Sequence, residues 1–203
     1  YYNHFPLYLV EVGLIYVYLG RYTEGMQYCL QAQDLDANSA LIHCCLGLAH
    51  MYTSATGDAP VQAFTRAIAL KQQETAAVQR ALSGRVTVTP ADILETEKAL
   101  GFITSPVFKL PLFAVESNLL YSFRTHNMHE QCVNWCIETN KLPPLLEGSA
   151  YILTLALVEW SPSMRETIDY VESVLRGAGQ FNTPVGVTLW DEIRRIQQSK
   201  KYM

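Results

Sequence analysis

Self-similarity at a fixed spacing constrains this chain more than any other feature. Gly13 and Gly47 lie 34 residues apart, each on the small-residue face of an apolar stretch with helical periodicity. Leu119 and Leu153 repeat the same spacing, and so do Cys136 and Tyr170 in the stretches that follow. A recurrence of this length corresponds to one helical hairpin per repeat, a unit that cannot bury its apolar face alone and must stack on its neighbours.

The first unit carries Leu9, Val12, Gly13 and Tyr16 at helical spacing over residues 5–19. Gly20 suits a left-handed C-terminal cap, and Tyr22 opens a second helix with Gly25, Cys29 and Ala32 on one face. Small residues at 13, 25 and 32 allow two antiparallel helices to approach closely. Asp34–Asn38 is turn-prone. The second unit spans about 40–70, with Gly47 in the small position and Phe64 followed by Ala67 on its second helix. Its inter-helix turn, 53–60, holds one extra residue.

Residues 72–112 leave the period and are expected to form an irregular insertion. Within it, Thr89-Pro90-Ala91-Asp92 is a helix start, with a hydroxyl cap, proline in the first turn and an early acid. A short helix over 90–100 should end at Gly101. The pattern resumes at Phe113, with helices expected over 113–126 and 129–140 and a stop at Pro143-Pro144. A fourth unit follows from Glu147 to Gly177, its second helix opened by Ser163 and Glu166 in capping-box spacing. A final helix is expected over 188–198. Three segments result: 1–71 with two hairpins, 72–112 as the insertion, and 113–203 with two further hairpins and a C-terminal helix.

Composition narrows the class. Of 203 residues, 49% are hydrophobic and 17% charged, enough apolar material for a core and too little charge for a disordered segment. A formal net charge of -4 argues against electrostatic binding of nucleic acid or of a membrane surface. The apolar stretch from Leu7 to Leu19 is interrupted by Glu11 and is too short to span a bilayer. The five cysteines form no disulfide-framework pattern and are expected as buried core thiols. That points to a reducing, intracellular and cytoplasmic setting, with an organelle left open. The first residue is Tyr1 rather than Met, which fits a piece of a longer repeat protein.

In these residues the chain resembles the tetratricopeptide repeat family. The first unit supplies Leu9, Val12-Gly13, Tyr16, Gly20-Arg21-Tyr22, Gly25, Cys29 and Ala32; the second His43, Leu46-Gly47, Phe64 and Ala67. The third supplies Glu116, Leu119-Leu120, Phe123, Asn127-Met128-His129, Cys132, Cys136, Thr139 and Pro144, and the fourth Leu153-Thr154, Leu157, Glu166, Tyr170 and Ser173. Several family positions are altered in the last two units. The resemblance implies an all-α fold, an α-solenoid of antiparallel hairpins wound as a right-handed superhelix. It also implies a scaffold or adaptor subunit of a larger complex, with no catalytic role and no cofactor.

In that family the first helices line a concave, partner-binding groove. Carried over, the face comprises Val10, Leu14 and Val17; Cys44, Leu48, Met51 and Tyr52; Ser117, Tyr121 and Arg124; and Tyr151, Leu155 and Val158. It is apolar and aromatic, suited to an amphipathic helix or extended segment of another protein subunit. Leu14, Leu48, Met51, Tyr52, Tyr121, Arg124, Tyr151 and Leu155 are the candidate contacts. Flanking segments of the chain could equally cover this face. A chaperone-type carboxylate clamp is not expected, because Arg124 is the only cation in the row.

Other chemistries find less support. His126, His129, Cys132 and Cys136 have donor types that zinc accepts, but the repeat register makes them turn histidines and core thiols. His43 and His50 offer only a pair. No nucleophile elbow or phosphate loop occurs. The alternative is a helical-repeat RNA-binding or RNA-processing subunit, which would need a basic, polar-lined face that these residues do not provide.

Overall fold

The computed structural model describes residues 5–128 together with 131, 132 and 135. Among them the fold is all-α: α1 (Phe5–Tyr18), α2 (Tyr22–Leu35), α3 (Ala40–Thr53), α4 (Asp58–Ala81), α5 (Pro90–Ala99) and α6 (Leu112–Thr125), with no strand. The chain divides into two compact units, 1–119 and 120–203, the boundary falling within α6.

In the first unit α1 and α2 form one hairpin and α3 and α4 a second, with α3 packed on both α1 and α2. The turn between α1 and α2 follows from Gly20, which sits at φ 77° and lets Arg21 N–H reach back to the Tyr16 carbonyl at 2.9 Å. This left-handed closure satisfies helix-end carbonyls that would otherwise lack partners. Ser39 caps α3 by accepting from Ile42 N–H, and Thr89 with Asp92 forms a complete capping box on α5.

The small residues set the packing distance. A Cβ on Gly13 would lie 3.0 Å from the Gly25 carbonyl oxygen, and one on Gly25 would lie 2.8 Å from the Gly13 carbonyl oxygen. The backbones of α1 and α2 therefore meet directly. A Cβ on Gly47 would lie 2.6 Å from the Phe64 ring, just as one on Gly13 would lie 2.6 Å from Cys29 Sγ. The same helix-to-helix contact thus recurs in both hairpins, with a larger side chain filling the notch in the second. Leu9, Val10, Leu14, Val17, Cys29, Ala32, Leu41, Ile42, Cys45, Leu46 and Ala49 make one continuous core.

Two features depart from the sequence expectations. The second helix of hairpin two runs to Ala81 rather than stopping near 70. Residues 71–81 hold no glycine or proline and are rich in Lys, Gln, Glu, Ala and Arg, so helix propensity carries α4 onward. Phe64, Ala67, Ile68, Glu74 and Val78 continue its buried stripe. The second departure is chemical: Cys29 on α2 and Cys45 on α3 form a disulfide rather than two free thiols. Their helices stack with both sulfurs facing the Gly13 notch, a proximity that a separation of 16 residues does not reveal. Cys44 and Cys132 are free and buried, as expected, and Cys136 lies outside the described residues.

In the second unit, Leu120, Ser122, Phe123 and Cys132 are buried, and Asn127 adopts φ 55° just beyond the α6 terminus. The helices expected over 129–140, 147–160, 163–177 and 188–198 lie outside the described residues, apart from 131, 132 and 135.

Candidate functional site

The face formed by the first helices of the two hairpins is covered within the first unit by the chain itself. Ile103, Phe108 and Leu110 pack against the core made by α1, α2 and α3. The Phe108 ring stacks on Tyr18 at 5.9 Å between centroids. Ser105 fixes this crossing: its hydroxyl donates to Glu11 Oε1 at 2.5 Å and accepts from the backbone N–H groups of Val107 and Phe108. On α3, Cys44 hydrogen-bonds the side chain of Asn118 on α6. The irregular stretch after α5 is therefore an ordered strap across the hairpins.

This placement sorts the groove residues. Leu14 and Met51 are core side chains, as are Val10, Val17 and Cys44, so none of them offers a surface to a partner. Leu48 is half-buried against the core. Tyr52 is half-exposed and stacks on Tyr22 at 4.5 Å. Ser117 is buried and donates to the Phe113 carbonyl. In the second unit, Tyr121 is exposed and Arg124 half-buried, three residues apart on α6. Tyr151, Leu155 and Val158 lie outside the described residues.

Among the described residues, a further exposed apolar stripe lies along α1. Phe5, Tyr8, Ile15 and Leu19 are all exposed and, with half-buried Val12, follow the i, i+3, i+7 spacing of a single helical stripe. Tyr8 is 61% exposed, and Tyr18 beside the stripe 70%. Glu11 is the only charge on this helix. At the 34-residue spacing, Tyr8 corresponds to Ile42 and Ile15 to Ala49, both fully buried where α3 meets the preceding hairpin. Assigning the contact face from the family's groove register overlooked this stripe, although its spacing is legible in the sequence.

Around the α1–α2 turn the tyrosines are held rigidly. Tyr16 stacks on Tyr28 at 5.3 Å, and the Arg21 guanidinium sits 4.7 Å above the Tyr16 ring. Arg21 also pairs with Glu24 at 2.7 Å, which lowers the Glu24 pKa through that side-chain hydrogen bond. The pair lies at the surface, where such a bridge adds little stability.

The nucleophilic and metal-ligating groups are tied into packing. Burial pushes the Cys44 thiol up to about 12, which keeps it protonated at neutral pH and removes the thiolate that a nucleophile needs. His126 Nδ1 lies 2.9 Å from the Ser122 carbonyl, and Cys132 is buried. Their proposed companions His129 and Cys136 lie outside the described residues. No group of three potential metal ligands converges among the described residues. Among the same residues, no helix is long and apolar enough to cross a membrane.

Compared with family models, curated proteins and solved structures, the chain matches none of them.

Proposed function

We propose that this chain is a protein-interaction module, a scaffold or adaptor subunit built from stacked tetratricopeptide-like hairpins. The reading is carried by the apolar stripe of Phe5, Tyr8, Val12 and Ile15 on α1, with Leu19 just past its end. Contiguous exposed apolar surface of this kind is characteristic of a face that meets protein. The chain's own internal repeat indicates what fits there. The equivalent positions on α3, Ile42 and Ala49, are fully buried in the core that α3 shares with α1 and α2. A helical partner element with an apolar contact face is therefore the expected occupant, in the manner of one further solenoid turn.

This moves the contact from the groove residues Leu14 and Met51 to the outer face of α1, leaving Tyr52 and Tyr121 as exposed aromatics elsewhere. The test is affinity purification with cross-linking and mass spectrometry, comparing the native chain with Tyr8→Glu plus Ile15→Glu. The double variant should retain its helical circular dichroism and lose cross-links to partner helices. A second variant, Tyr52→Ala with Tyr121→Ala, should keep them. Retention by the first variant and loss by the second would return the contact to the groove row.

A further inference from the structure

Residues 83–102 lie on the first unit without being sealed into it. Leu82, just past the end of α4, is buried. Ile103 packs on the core of α1, α2 and α3, and Ser105 just beyond it is bonded to Glu11. Between these two fixed points no residue is buried. α5 occupies the middle of the span and buries none of its side chains, whereas α1 to α4 each bury several. Among the described helices it packs on α4 alone.

The seat of α5 is loosely filled. A cavity of about 600 Å³ separates it from the start of α3 and from the strap, and a second of about 320 Å³ lies towards Val78 and Leu82. Ile93 and Glu97 line both, and Ile93 keeps 40% exposure. Protein interiors are close-packed, so gaps of this size leave few dispersion contacts to hold α5 down. A polar tie runs through Lys71 on α4, whose Nζ meets Glu74 Oε2 at 3.2 Å on its own helix and Glu97 Oε1 at 3.4 Å on α5.

Within itself, by contrast, the span is well finished. Thr89 and Asp92 close the capping box, Arg85 Nη1 donates to Asp92 Oδ1 at 2.8 Å, and Phe102 N–H reaches the Glu97 carbonyl at 3.0 Å. These bonds join residues of the span to one another, so they survive its displacement. Gly84 and Gly101 bracket the helix at φ 93° and 83°, and a Cβ at either would meet nothing within 4 Å. Glycine in open space is where a backbone can rotate without collision.

We propose that residues 83–102 form a flap that lifts from α4 about Gly84 and Gly101, with Lys71–Glu97 as its latch. Opening bares Val78 and Leu82 while α1 to α4 stay folded. Sub-global opening of this kind draws on the most loosely packed part of a fold.

The test is thiol labelling of the full chain under native conditions, located by peptide mass spectrometry. Val78→Cys sets a reporter beneath the flap, where the native side chain is 6% exposed, and Ala67→Cys sets one in the core on the same helix, at 0%. Each rate is divided by that of the same variant unfolded in urea. The reporter at 78 should label at least about tenfold faster than the one at 67, because it needs the flap to lift and not the unit to unfold. Adding Glu97→Gln to Val78→Cys should speed labelling about fivefold to tenfold, the difference between a charge-assisted and a neutral hydrogen bond. Glu95→Gln, at an exposed position of α5, should leave the rate unchanged. Equal rates for the two reporters, no effect of Glu97→Gln, or an equal effect of Glu95→Gln overturns the proposal. Leu82→Cys replaces the reporter at 78, and Ala49→Cys the one at 67, if circular dichroism shows that either first choice fails to fold.

Discussion

Gly13→Ala puts the packing of the first hairpin under direct test. In an unconstrained helix the change would stabilise by about 0.8–1 kcal/mol, because alanine loses less backbone freedom than glycine. Here the new Cβ would lie 2.6 Å from Cys29 Sγ and 3.0 Å from the Gly25 carbonyl oxygen. The carbonyl belongs to the α2 backbone and cannot rotate away. The sulfur is held by its bond to Cys45, and both cysteines are fully buried. Overpacking of this type costs about 1–3 kcal/mol, and two unyielding neighbours place the cost at the upper end. The expected net loss is about 2 kcal/mol, read by urea unfolding, or roughly 4–8 °C in Tm. Repeating the substitution in a Cys29→Ala, Cys45→Ala background removes the nearer obstacle, so the penalty should fall by about 1 kcal/mol or more. If Gly13→Ala stabilises the chain equally in both backgrounds, α1 and α2 do not meet backbone to backbone and the hairpin packing described above is wrong.

The disulfide and the half-buried His50 give two further expectations. Closing the 16-residue separation between Cys29 and Cys45 should stabilise the fold by about 3 kcal/mol through the loss of unfolded-chain entropy. Peptide mapping without reductant should recover these two cysteines linked, and reductant should lower the urea midpoint; a midpoint indifferent to reductant would contradict the bridge. His50 is held below the ordinary histidine pKa by burial, so the fold favours its neutral ring. Its contribution is therefore present above an unfolded pKa of about 6.5 and is lost as pH falls through the lower folded value. The drop in Tm between pH 7.5 and 5 should be smaller in His50→Gln, and an identical drop would show that His50 does not titrate with unfolding.

The amino-acid order alone determined the local architecture of the described hairpins. Gly20 supplied the left-handed stop, Thr89 and Asp92 the cap of α5, and Gly13, Gly25, Gly47 and Phe64 the close helix contacts. Each acts within a turn or two of helix, or recurs at a fixed spacing, so periodicity exposes it. The tertiary structure decided what periodicity cannot encode. Joining Cys29 to Cys45 depends on the axial offset of two stacked helices. Packing Ile103, Phe108 and Leu110 onto the core of α1, α2 and α3 depends on an aperiodic strap whose Ser105 reaches back to Glu11, 94 residues earlier. Such contacts arise between segments whose meeting is fixed by the packing of everything between them. That is why the strap reads in the sequence as a loop and in the fold as a cover.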